Sequence, residues 1–143
     1  MNKIVVVSGG FDPVHSGHIK LINRAKELGD KLVVGINSDN WLIRKKGKFF
    51  MPWHERQCII SNLKSVDYVI EFDDKDGSAK NLLKIVRQTW PKSRIIFANG
   101  GDRTFENNNE ADFKDNNLEF AFGIGGSYKS NSSSSILKQW EKW

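Results

Sequence analysis

The stretch Lys3-Ile4-Val5-Val6-Val7-Ser8-Gly9-Gly10-Phe11-Asp12-Pro13-Val14-His15-Ser16-Gly17-His18 decides the fold class of this 143-residue chain. Residues 3–8 form a β-branched run without polar alternation, which suits a strand buried on both faces. Gly9 and Gly10 break it. From residue 16 to 28, Ile19, Leu21, Ile22, Ala25 and Leu28 recur at helical spacing, and Gly29 supplies a stop. Ser16 is the expected N-cap, which puts His18 in the first helical turn and His15 just before it.

Working outward, residues 31–37 repeat the buried-strand pattern. A polar stretch runs to Phe50, and Pro52 suits the first turn of a helix over 52–63. Further strands are expected at 66–72, 94–98 and 118–122, and helices at 82–90 and 133–143. An acidic loop covers 73–77, and the Asn-rich segment 106–117 reads as a loop or short exposed helix. Alternation at this spacing predicts a single α/β domain over residues 1–143, Rossmann-like, with a mostly parallel five-stranded sheet flanked by helices. The connections should be right-handed.

Composition narrows the function classes. Lys and Arg total 22 against 17 Asp and Glu, a formal charge of +5. Hydrophobic residues make up 38%, which fits neither a disordered nor a membrane-spanning chain. No apolar run approaches the roughly 18–20 residues of a spanning helix, and the run at residues 4–7 is too short for a signal-peptide core. A cytoplasmic protein without a membrane partner is therefore expected. The single cysteine, Cys58, excludes an intrachain disulfide and a multi-cysteine zinc site. A basic balance of this size leaves nucleic acid, anionic membrane or small phosphorylated ligands as partners.

The positions of particular residues choose the last. In an open parallel sheet, ligands bind beyond the carboxyl ends of the strands, beside the first strand. Gly9 and Gly10 there let main-chain amides approach a phosphate, and a helix N-terminus favours anions. Two of the three histidines, His15 and His18, lie in this loop. They lack the i, i+4 spacing and the glutamate of the helical zinc motif. Residues 44–56 hold Arg44, Lys45, Lys46, Lys48 and Arg56 against Glu55, a local +4 within the total of +5. Placed after a strand, such lysines suit a phosphate-closing lid. Ser132, Ser133 and Ser134 precede Ile136, Leu137 and Trp140 at core-like helical spacing. That puts their hydroxyls and amides at a helix N-terminus able to hold phosphate. The glycine-rich residues 123–130 lack both the glycine before lysine of a Walker A loop and the Gly-x-Gly-x-x-Gly spacing. They follow a strand and so fall near the crevice. The five tryptophans read as core or dimer-interface residues.

Gly9-Gly10-Phe11-Asp12 followed by His15-Ser16-Gly17-His18 resembles the signature of the HxGH nucleotidylyltransferase superfamily. Asn37-Ser38-Asp39, Lys46-Gly47, Glu55-Arg56 and Val66-Asp67 are similar to successive landmarks of its cytidylyltransferase-like group. That group includes glycerol-3-phosphate cytidylyltransferase and the adenylyltransferase domain of ADP-heptose synthase. Asn99-Gly100-Gly101-Asp102 resembles the glycine-aspartate loop after the fourth strand, and 131–136 the C-terminal Ser/Thr-rich motif. Arg103 departs from the aromatic residue often found there.

The resemblance implies attack by a phosphate-monoester oxygen on the α-phosphate of a nucleoside triphosphate, releasing pyrophosphate. It implies that His15 and His18 donate to triphosphate oxygens, with the amides of Gly10 and Phe11 cradling phosphate. It gives Lys45 or Lys46 a phosphate contact and Arg56 either a phosphate contact or a structural ion pair. It places Asn99, Gly100, Gly101 and Asp102 beside the base. Asp12 either orients the loop or helps hold a metal, and Mg²⁺ is expected to be held mainly by the phosphates. The expected partners are CTP, or alternatively ATP, and a polyol- or sugar-phosphate acceptor, in a homodimer. An adenylyltransferase for a heptose-, pantetheine- or nicotinate-type phosphate is the alternative within the same chemistry. A nucleic-acid-binding protein and a silent nucleotide sensor are the readings from other classes. Charge gathered in one segment speaks against the first, and an intact histidine pair against the second.

Overall fold

A computed structural model describes residues 2–101, 108–125 and 132–142. The elements run β1 (Lys3–Gly9), α1 (Ser16–Lys26), β2 (Lys31–Ile36), α2 (Asp39–Lys46), α3 (Trp53–Ser61), β3 (Tyr68–Glu71), α4 (Lys80–Thr89), β4 (Arg94–Ala98), β5 (Leu118–Ala121) and α5 (Ser133–Glu141). All five strands are parallel, in the order β3-β2-β1-β4-β5. The α/β class and the five parallel strands agree with the sequence reading.

Strand β1 is central because it has no hydrophilic face. Ile4, Val5 and Val6 are wholly buried, and alternate residues feed two cores. Val5 and Val7 meet Ile22 and Ala25 of α1 and Ile60 of α3. Ile4 and Val6 meet Leu82, Leu83 and Val86 of α4. Gly35 of β2 leaves room for Leu82, whose side chain occupies the place a Cβ would take. The chain winds from β1 to β3 on one side, then returns to place β4 on the other flank of β1. That reversal opens a crevice beyond the ends of β1 and β4.

One helix is absent from the sequence reading. The polar stretch after β2 contains α2. Ser38 caps it, its Oγ accepting from the Trp41 N–H at 3.0 Å. Gly47, at φ 89°, ends it in the left-handed region that favours glycine. Only Leu42 of this helix is buried, so the apolar periodicity is nearly invisible. The cap residues, with Asp39 in the first turn and three cations in the last, were the available signal.

Asp67, one of the family landmarks, is a staple of the fold. It accepts from Lys26 Nζ at 2.6 Å and from the Leu32 N–H at 2.8 Å. Burial pushes its carboxyl up, but these hydrogen bonds outweigh burial and hold it below the ordinary carboxylate value.

Candidate active site

His15, not Ser16, is the N-cap of α1. Its Nδ1 accepts the Gly17 N–H at 3.0 Å, while His18 Nδ1 accepts the His15 N–H at 3.2 Å. The two rings thus form a capping box, a task usually given to Ser and Glu. A nitrogen that accepts an amide proton carries none itself, so each neutral ring bears its proton on Nε2. The rings stack with centroids 3.8 Å apart, and Phe11 meets His18 edge-on at 4.9 Å. Gly17 has no side chain for a mechanical reason: a Cβ there would lie 2.9 Å from His15 Cε1.

Asp12 is buried and its carboxylate is fully engaged. One oxygen accepts the Phe50 N–H and the other the Met51 N–H, both at 2.6 Å. Its carbonyl accepts from Lys46 Nζ at 2.8 Å. Of the two roles open to Asp12, the geometry fits the first, fixing the α2–α3 loop. Among the described residues no group of three His, Cys, Asp or Glu could hold a metal ion.

Of the two roles open to Arg56, a phosphate contact or a structural ion pair, the geometry fits the ion pair, and its place among phosphate contacts is withdrawn. Its side chain is 0% exposed. Nε donates to the Met51 carbonyl at 2.9 Å, Nη1 to the Gly10 and Asn37 carbonyls at 2.8 and 2.7 Å, and Nη2 to Asp39 Oδ1 at 2.6 Å. A guanidinium so enclosed serves protein oxygens, and no ligand reaches it. Gly9 is likewise a packing position: a Cβ would meet the Phe11 ring at 3.1 Å.

The basic segment divides in the same way. Arg44 turns to Asp74, donating to its carbonyl at 2.9 Å. Asp74 itself is buried and accepts from Asn37 and from Ser38. Lys48 does not line the cleft, whereas Lys45 and Lys46 do, joined by Lys20 from α1. Lys45 Nζ also lies 4.7 Å above the Trp41 ring. Lys45 and Lys46 are therefore carried on the last turn of α2, and of the five cations in this segment only these two line the cleft.

The opposite wall comes from the end of β4. Asn99, Gly100 and Gly101 line the cleft, joined by Ile124 and Gly125 beyond β5. The Ile124 N–H donates to the Asn99 carbonyl at 3.0 Å, which ties the two loops. Part of the glycine-rich segment is thus in the crevice. Residues 126–131, with Asp102 and Arg103, lie outside the described residues. Ser132, Ser133 and Ser134 close the third side, where Ser132 caps α5 and Ser133 Oγ donates to the Pro13 carbonyl at 2.8 Å. Sequence distance concealed this last contact entirely.

Together these residues enclose an open cleft of about 490 Å³. Gly10, Phe11, Asp12, His15, His18, Lys45, Lys46, Asn99, Gly100, Gly101 and Ser132 to Ser134 all line it, while Gly9 and Arg56 do not. Missed from sequence were Lys20, Leu21 and Trp41. Lys20 and Leu21 follow His18 by two and three residues on the same helix. Trp41 lines the cleft instead of the core or interface expected for the tryptophans. Trp53 and Trp90 do pack on the core, whereas Trp140 is 70% exposed and Trp143 lies outside the described residues.

Comparison with known proteins agrees with this fold. The chain is 39% identical over 102 residues to the bifunctional protein HldE of Nitratiruptor sp., covering 70% of this chain and 20% of the relative. It is 47% identical over 74 residues to HldE of Campylobacter concisus, covering 50% of this chain and 16% of the relative. The chain thus spans about a fifth of the curated relatives it matches. Among solved structures, the lipopolysaccharide core biosynthesis protein of Thermoplasma volcanium superposes with a TM-score of 0.67 at 28% identity, covering 90% of this chain and all of that one. A putative nicotinate-nucleotide adenylyltransferase from Vibrio parahaemolyticus, at 15% identity and TM-score 0.68, shares the fold over 99% of this chain and 88% of its own. The profile described as cytidylyltransferase-like matches residues 6–139, nearly the whole chain, and the protein belongs to that family of nucleotidylyltransferases.

Proposed function

We propose that the cleft transfers a nucleoside monophosphate, AMP from ATP, to a sugar-phosphate acceptor and releases pyrophosphate. One observation carries the reading: the histidine pair, the α2 lysines and the serine-rich N-terminus of α5 converge on a single cleft. Sequence alone favoured CTP and left ATP open. The HldE relatives support the ADP-heptose branch of the family, hence adenine and a sugar phosphate. In the described cleft walls Leu21 and Ile124 are apolar, the glycines offer main chain, and the Asn99 amide donates to the Phe97 carbonyl at 3.2 Å, so the choice of base here rests on the relatives.

An acceptor phosphate oxygen attacks the α-phosphorus, and the new P–O bond forms as the bond to the bridging oxygen of pyrophosphate breaks. The nucleophile is already anionic, so alignment and charge stabilisation are what the protein supplies. The Nε2–H groups of His15 and His18 donate to oxygens that gain charge at the α-phosphate. The α5 N-terminus holds the β- and γ-phosphates that depart. Lys45 and Lys46 face the remaining wall, where an acceptor phosphate enters. Mg²⁺ belongs to the substrate in this reading, bound through the nucleotide's phosphates.

Pyrophosphate release with ATP or CTP, each against a panel of sugar 1-phosphates and glycerol 3-phosphate, tests it. Turnover with ATP and a sugar phosphate is expected. Turnover with CTP alone reassigns the base, and none with either sinks the proposal.

A further inference from the structure

We propose that Arg56 is a positioning residue: its buried guanidinium turns the Gly10–Phe11 peptide so that the Phe11 N–H faces the attacked phosphate. The inference rests on the nucleotidyl-transfer reading given above.

The Gly10 carbonyl is drawn inward to Arg56 Nη1 at 2.8 Å. The peptide that follows is trans, since the cis bond of this loop is Asp12–Pro13. A trans peptide carries its C=O and N–H on opposite edges, so drawing the oxygen inward sends the Phe11 N–H outward. Outward here is the cleft that Gly10 and Phe11 line. Among the described residues, the Phe11 N–H has no protein acceptor. Phe11 is 2% exposed, and an amide of so buried a residue is rarely left unpaired without a ligand to receive it.

Phe11 also sits at φ 52°, a left-handed conformation that a bulky side chain adopts at a cost. Two contacts hold it there: its ring packs against Gly9 and His18, and its peptide is pinned from below by Arg56. The guanidinium is itself immobile, because Met51, Asn37 and Asp39 take its other donors. Lysine, a point charge with three donors, cannot satisfy four acceptors in these directions. Arg56 thus prepares an oxyanion donor while touching no ligand.

Amide NMR tests the geometry apart from turnover. In ¹⁵N-labelled wild-type protein, inorganic tripolyphosphate should move the Phe11 amide proton downfield more than any other amide of residues 9–14. In Arg56→Lys that movement should be lost. Its kcat should fall by about 10²- to 10³-fold, the range for removal of one such donor, with the acceptor KM changed by less than about threefold. Guanidinium ion, but not methylammonium, should restore turnover to Arg56→Ala. An unmoved Phe11 amide in the wild type overturns the inference even if Arg56→Lys fails to fold, as does an Arg56→Lys enzyme of normal kcat. If the wild type turns over no nucleotide yet tripolyphosphate moves Phe11 and only with Arg56 intact, the positioning stands and the reaction assignment falls.

Discussion

The imidazoles of His15 and His18 stack 3.8 Å apart, inclined by 24°, while each Nδ1 accepts a main-chain N–H of the same helix start. One pair of hydrogen bonds thus caps the helix and fixes the neutral tautomer, and in the proposed reaction the same pair aims both Nε2 donors. Asparagine separates the two roles, because it caps well but lacks the reach of Nε2. His15→Asn should unfold within about 0.5 kcal/mol of wild type, whereas His15→Ala should lose about 1 kcal/mol. Both should lose about 10²-fold or more in kcat. Urea denaturation beside steady-state kinetics measures the pair, and an active Asn variant would remove the donor role.

Gly17→Ala adds a methyl 2.9 Å from His15 Cε1 on a residue already helical. Alanine is the better helix former by about 1 kcal/mol, so thermal stability should hold or rise slightly. The displaced imidazole should nevertheless cost at least about tenfold in kcat. A calorimetric scan and an activity assay on one preparation show whether the two properties diverge.

Asp12 bears on stability as much as on the site. Removing its carboxylate in Asp12→Ala strands the Phe50 and Met51 amides. Each amide loses a part-buried hydrogen bond to a charged acceptor, worth about 1.5–3 kcal/mol. Proteolysis should then cut near residues 47–52 sooner than in wild type, and an unchanged cleavage pattern would refute the assignment.

The pH dependence of stability has a defined contributor in Asp115. Its hydrogen bonds from Arg87, at 2.7 and 3.0 Å, hold the carboxyl below its ordinary value despite burial. A carboxyl depressed in the folded state stabilises fully above its unfolded pKa of about 4. That stabilisation is lost as pH falls through the folded value. The stability gap between wild type and Asp115→Asn should therefore be constant from neutral pH to about 5 and shrink below about 4. Denaturant titrations across that range decide it.

The sheet and its order of elements were legible because β1, β2 and β4 are buried on both faces, and burial of that kind leaves an unbroken apolar run. Helix α2 was not legible, since a helix with one buried residue has almost no periodicity to read. The histidines were recognisable from a glycine turn and a helix start in one short segment. Their capping role was hidden, because histidine is not a residue from which a cap is expected.

Charge shows the same division. The amino-acid sequence by itself determined the fold class, the loop that lines the cleft and the sign of the local charge, all of which depend on residues close along the chain. Only the tertiary structure decided which cations line the cleft. Arg56 and Lys46 lie ten residues apart, yet one is enclosed by four protein oxygens and the other lines the cleft. Likewise the contact from Ser133 to Pro13 joins residues 120 positions apart. Burial and partnership are properties of the packed chain, and packing sets whether a positive charge serves substrate or the protein's own carbonyls.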